Sequence, residues 1–93
     1  MEETVYRGKE RIDGSNSPQV QNEINALIDG GATDVVIDLI DTKYISSAGL
    51  RVLLSAHKKL KSKGGSFALR NVSLTLKEIL DVTGFSGFLT IKD

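Results

Sequence analysis

The sequence has no cysteine, no tryptophan, one histidine and one proline. Without cysteine there are no disulfides and no thiolate metal sites, and the composition suits a reducing compartment. A single histidine and the missing tryptophan leave few residues for catalysis or for stacking on a ligand. An excess of charge is lacking too: twelve basic residues face twelve acidic ones, so no global attraction to nucleic acid or an anionic membrane is expected. No apolar run approaches the ~20 residues that span a bilayer. The opening Met1-Glu2-Glu3-Thr4 is the opposite of a basic, then apolar, signal peptide. There are no internal repeats, low-complexity tracts or linkers, and no glycine-rich nucleotide loop. These absences leave a small cytoplasmic module, one domain over residues 1–93, with neither cofactor nor metal expected.

What is present is ordinary for a globular domain: 40% hydrophobic and 26% charged residues, enough for one modest core. Glu3 to Asp13 reads as one strand at a sheet edge, with Val5 and Ile12 apolar and Arg7, Lys9 and Arg11 pointing outward. The turn Asp13-Gly14-Ser15-Asn16-Ser17-Pro18 feeds a helix, capped by Asn16 or Ser17 with Pro18 in its first turn. Val20, Ile24, Leu27 and Ile28 make its apolar stripe, and Gly30-Gly31 ends it. Val35 to Ile40 is a nearly continuous apolar run, as expected of a central strand covered on both faces. After a connection from Asp41 to Ile45, a second helix opens at Ser46 or Ser47. Leu50, Leu53, Leu54, His57 and Leu60 face inward, and Gly64-Gly65 closes it. Ser66 to Asn71 is a strand. A third helix follows, capped by Ser73 or by Thr75 with Glu78, with Leu76, Ile79, Leu80 and Val82 on its apolar side and Gly84 at its end. Phe88 to Ile91 is a last strand. The alternation implies an α/β fold with right-handed crossovers and a largely parallel sheet.

In open α/β sheets, sites form beyond the carboxyl ends of strands. The junction from Asp41 to Ser47 is the richest such place. A serine at a helix N-terminus faces unpaired backbone N–H groups and the positive end of the helix dipole, which favours a phosphate on its oxygen. Ala48 and Gly49 keep the first turn slim, leaving room for a partner. Serine is equally a common N-cap, worth ~1 kcal/mol, and on spacing alone Ser46 and Ser47 stand equal. A serine hydrolase is disfavoured: Ile45 occupies the first glycine position of a nucleophile elbow, and His57 lies roughly 15 Å along the helix from Ser47. Asp38 and Asp41 lack a third metal ligand, and the lysines from Lys58 to Lys63 form a solvated face.

Taken together, Arg11-Ile12-Asp13 before a helix, VVIDLIDTKYISSAGLRVLL, KGGSFALRN and a helix ending DVTGF resemble the STAS domain, and within it the bacterial anti-anti-sigma factors. The resemblance implies a mostly parallel (mixed) sheet of four to five strands with helices packed on it, and no enzyme activity. Its Gly-Leu register on Gly49-Leu50 implies phosphorylation of Ser47, with Ser46 second, where family members often carry aspartate. It further implies partner contacts from Asp13, Asn16, Ser46, Ser47, Ala48, Gly49 and Arg51. The partners implied are an anti-sigma factor with serine kinase activity and a metal-dependent serine/threonine phosphatase. Besides Ser46, two further departures stand out. Glu10 occupies the family's glycine before Asp13, and the family's first strand is either missing or shared with Val5 to Asp13. A missing strand would expose a sheet edge and favour dimerisation.

Overall fold

The computed structural model describes residues 3–92, so Met1 and Glu2 of the acidic start and Asp93 of the domain lie outside the described residues. Its elements are β1 (Thr4–Arg7), β2 (Arg11–Ile12), α1 (Ser17–Asp29), β3 (Asp34–Asp38), β4 (Tyr44–Ile45), α2 (Ser47–Ser62), β5 (Ser66–Arg70), α3 (Leu74–Thr83) and β6 (Thr90–Lys92). A 3-10 turn at Phe85–Gly87 precedes β6. The expected α/β architecture is present. The main sheet has four strands in the order β1-β3-β5-β6, and each neighbouring pair is parallel.

The expected single strand from Glu3 to Asp13 is two. Gly8 is the break: its N–H still donates to Asp38 O at 2.8 Å. A Cβ there would meet Thr42 Oγ1 at 2.7 Å and Leu39 Cδ2 at 3.0 Å. Thr42, 3% exposed, closes this corner by donating its hydroxyl to Lys9 O at 2.7 Å. Beyond it, β2 leaves the main sheet and pairs in parallel with β4 as a separate two-stranded ladder. One stretch therefore supplies both an edge strand and the strand before the Asp13 turn.

The strand order runs in one direction along the sheet. Right-handed crossovers repeated in one direction place every connecting helix on the same face. The core matches this: Val20, Ile24 and Ile28 of α1, Leu50, Leu53 and Leu60 of α2, and Leu76 and Leu80 of α3 pack with Val35, Ile37, Phe67 and Leu69. β3 is covered on both faces, as expected, though helices cover only the face of Val35 and Ile37. Its other face, carrying Val36 in register with Val5 and Ala68, lies beneath ion pairs. Arg70 reaches Glu3 at 3.1 Å and Asp38 at 3.3 Å, and Lys92 reaches Glu3 at 3.4 Å. Since β3 and β5 lie between β6 and the β1 edge, these long side chains cross the sheet. Their aliphatic stems help keep Val36 at 0% and Ala68 at 4% exposure.

Two details of the helices also differ from expectation. Ser73 caps α3 by accepting from Leu76 N, so the Thr75–Glu78 capping box does not form. Val82 faces solvent, 87% exposed, because the helix packs inward through Leu76, Ile79 and Leu80. Gly84 does supply the left-handed cap, at φ 82°, and Phe85 packs back on the core. In α2, Val52 and Ala56 are buried while Leu54 and His57 are only half-buried.

Candidate functional site

The site grows out of the β2–β4 ladder. Pairing Arg11 with Tyr44 and Ile12 with Ile45 sets the next residues, Asp13 and Ser46, side by side at the starts of two helices. Arg11 adds a cation–π contact, its guanidinium 4.9 Å from the centre of the Tyr44 ring. The two-residue strands are too short to show a hydrophobic period. The apolar Ile12 and Ile45 ahead of each turn were the one trace of them in the sequence.

The Asp13 turn is held by its own side chains. Asp13 Oδ1 accepts from the Ser15 hydroxyl at 2.6 Å and from Ser15 N at 3.0 Å. Those bonds hold the Asp13 carboxyl below the usual carboxylate range, with a further contribution from Arg11. Asn16 bridges the turn, donating Nδ2 to Arg11 O at 2.7 Å and accepting Asp13 N at 2.9 Å. Asn16 is the residue before α1, but its side chain caps the turn rather than the helix.

Across from this turn, Ser46 is the N-cap of α2. Its Oγ accepts from Gly49 N at 3.3 Å, its carbonyl accepts from Leu50 N at 2.9 Å, and its N–H donates to Ile12 O at 2.9 Å. Ser47 is the first helical residue and is exposed. Among the described residues no hydrogen bond engages its hydroxyl. The two serines, equal on spacing, are therefore physically distinct: one is committed to the helix start, the other is free.

Gly49 is buried, and the room left by its missing side chain is already filled. A Cβ there would sit 2.6 Å from Ile12 O, 2.8 Å from Ile45 Cγ2 and 2.9 Å from Ile12 Cγ2. The slim first turn thus lets the Asp13 turn close on α2, a role the sequence reading missed. Ala48 is half-buried and Arg51 exposed. Arg51 follows Ser47 by four residues, hence on the same helix face. The structure brings Asp13, Asn16, Ser46, Ser47, Ala48, Gly49 and Arg51 to one end of the molecule.

The other sequence candidates lie elsewhere. His57 packs its ring edge-on to Phe67 with centroids 6.2 Å apart, and its buried Nδ1 has no hydrogen-bond partner among the described residues. It is a packing residue, as expected. Asp38 accepts from Asn71, from Ile40 N and from Arg70, and those bonds, Asn71's foremost, lower its carboxyl pKa. Asp41 pairs with Arg7 at 2.7 Å. Among the described residues no cluster of three or more His, Asp or Glu could hold a metal, and no helix is long and apolar enough to cross a membrane.

An exposed serine on a rigid helix start, braced by a neighbouring turn, can be compared with known proteins. BtrV of Bordetella bronchiseptica, a candidate anti-sigma factor antagonist, is 36% identical over 80 residues, covering 86% of this chain and 69% of its own. The anti-sigma-B factor antagonist of Bacillus subtilis is 35% identical over 80 residues, covering 86% and 72%. These names denote regulators rather than enzymes. The Bacillus cell fate determinant SpoIIAA, solved in its phosphorylated form, superimposes with a TM-score of 0.74 at 19% identity, covering 99% of this chain and 84% of that one. At that identity the likeness speaks for the fold. The STAS domain profile matches residues 2–93, nearly end to end, and the chain belongs to the STAS domain family.

Proposed function

We propose that this chain is an anti-sigma factor antagonist that works by partner switching, with Ser47 as its phosphoacceptor. The observation that carries this reading is the division of labour at the start of α2. Ser46 holds the helix, while the Ser47 hydroxyl is exposed and unengaged. With Ser47 unmodified, the surface of Asp13, Asn16, Ser46, Ala48, Gly49 and Arg51 binds an anti-sigma factor that is also a serine kinase. The kinase transfers the γ-phosphoryl group of ATP to Ser47 Oγ, releasing ADP and the hydroxyl proton. The added charge, ~2 negative units at neutral pH, then repels the partner surface. A metal-dependent serine/threonine phosphatase restores the hydroxyl. Such a cycle belongs in the cytoplasm. The names of the relatives support the general role. The phosphorylated form of a protein with this fold supports the chemistry.

The experiment is phosphorylation of the purified domain by a cognate kinase, read by intact mass and peptide mapping. The expected result is a gain of about 80 Da, one phosphate, located on Ser47. Ser47→Ala is expected to keep binding the kinase and Ser47→Asp to lose it. If the mass stays unchanged and both variants bind like the parent, the domain is a scaffold module without a phosphate switch.

A further inference from the structure

Helix α2 carries charge of one sign only: from Ser47 to Ser62 it holds no aspartate or glutamate. The neighbours of Arg51 one turn away are Ser47, Ala48, Leu54 and Ser55, so nothing on the helix pairs with it. Arg51 is exposed and has no ion pair or hydrogen bond among the described residues. The other charges around the start of α2 are committed or distant. Arg11 pairs with Asp13 at 3.3 Å and lies over the Tyr44 ring. Lys43 and Glu10 meet at the far end of the β2–β4 ladder, where Lys43 N donates to Glu10 O. Lys59 pairs with Asp29 at 2.9 Å. Lys58 and Lys61 lie roughly 16 and 21 Å along the helix from Ser47.

We infer that Arg51 is the cation that receives a phosphate on Ser47, an inference that rests on the reading of Ser47 as phosphoacceptor. Residues four apart on a helix bring their Cβ atoms within about 6 Å of each other. A helical side chain leans over the turn on its N-terminal side, which directs the Arg51 guanidinium toward the turn that carries Ser47. An anion four residues ahead of a cation is also the favoured order of such a pair. Ala48 and Gly49 offer no side chain large enough to intervene. The planar guanidinium matches phosphate oxygens two at a time. The pair changes what this face offers a partner. Unmodified, it presents the single positive charge of Arg51. Phosphorylated, it presents an Arg51–phosphate pair with about one net negative charge. Modification thus inverts the sign of the contact surface and occupies its cation at the same time.

Phosphoserine installed at position 47 during synthesis of the full chain tests this without a kinase. Phosphorus-31 NMR against pH reads the second ionisation of the phosphate, ordinarily near about pH 6. In Arg51→Gln this ionisation is expected about 0.3 unit higher than in the parent at low salt. The gap is expected to close in ~1 M salt. The helix dipole and Asp13 act alike in both proteins, so the gap isolates Arg51. Arg51→Lys keeps the charge and is expected to lie between the two, while Arg11→Gln is expected to move the ionisation less than Arg51→Gln does. Parent and Arg51→Gln titrating together, or Arg11→Gln raising the ionisation as far as Arg51→Gln, would overturn the assignment. A Ser47 that no kinase modifies would strike the phosphorylation reading instead, and this titration would still decide whether Arg51 holds the group.

Discussion

Replacing Gly49 with alanine sets two physical effects against each other with opposite signs. Helix propensity alone favours alanine inside a helix by about 1 kcal/mol. Packing opposes it: the new methyl would lie 2.6 Å from Ile12 O and under 3.0 Å from two isoleucine methyl groups. One of those neighbours is backbone, and Ile12 is fully buried, so it has little room to retreat. Overpacking of this kind costs about 1–3 kcal/mol. Pushing Ile12 O aside also strains its bond from Ser46 N, worth about 1 kcal/mol. The net expectation is a loss of about 1–3 kcal/mol, with the melting midpoint falling about 4–8 °C per kcal/mol for a domain of this size. Urea unfolding measures it. Ser55→Ala, at an exposed position of the same helix, isolates propensity and should be neutral or slightly stabilising. If Gly49→Ala were as stable as the parent, the contact between the Asp13 turn and α2 would not be the reason for glycine there.

Ser46→Ala removes the cap bond to Gly49 N and should lower stability by about 0.5–2 kcal/mol. Ser47→Ala, which touches no hydrogen bond among the described residues, should leave stability within about 0.5 kcal/mol. Equal effects would contradict the assignment of the cap. The pH dependence follows from carboxylates held below their ordinary range: Asp13 by Ser15, Glu23 by Tyr6, Asp29 by Lys59 and Asp38 by Asn71. A lowered folded pKa means the unfolded chain binds more protons as pH falls. This stability is therefore present above about pH 4 and is lost below it. The Tyr6 phenol, raised by burial and then by its hydrogen bond to Glu23, acts at the other end. Its contribution holds below about pH 10 and fades as pH rises past that. Urea midpoints should fall from pH 6 towards both extremes, and a midpoint that held constant below about pH 4 would refute the carboxylate part.

The sequence carried the fold wherever an element was long enough to show its period. Val20, Ile24 and Ile28 marked the buried stripe of α1, and the Val35–Ile37 run marked the central strand. It failed where the decisive contact joined residues far apart in the chain. The split of the first strand depends on Thr42 and Leu39 closing over Gly8, 31 or more residues away in sequence. The helix-free face of the sheet follows from strand order, which no local pattern encodes. Val36 lies beneath no helix, and ion pairs from Arg70 and Lys92 to Glu3 span its face. At the candidate site the spacing put two serines at a helix start but gave no means to rank them. The family resemblance alone placed Ser47 ahead of Ser46, and the structure adds a physical difference between them: the Ser46 hydroxyl accepts from Gly49 N while Ser47 is exposed.

That difference fixes how a phosphate on Ser47 would act on the domain itself. The Ser47 side chain is exposed and makes no hydrogen bond among the described residues, so a phosphate on it breaks none of those bonds. Its charge would sit at the positive end of the α2 dipole, a placement worth about 0.3–1 kcal/mol in favour of the fold and reduced by salt. The same group on Ser46 would displace the oxygen that accepts Gly49 N and crowd the carbonyl of Ile12, destabilising the helix start. A domain phosphorylated on Ser47 should therefore be as stable as the unmodified one or up to about 1 kcal/mol more stable, with the gain larger at low ionic strength. Paired urea titrations of the two forms at low and high salt give the answer. A stabilised or unchanged domain leaves charge repulsion at the partner surface as the means of release. A loss of more than about 1 kcal/mol would mean that the modification breaks the cap, and that the switch works by loosening the helix start instead.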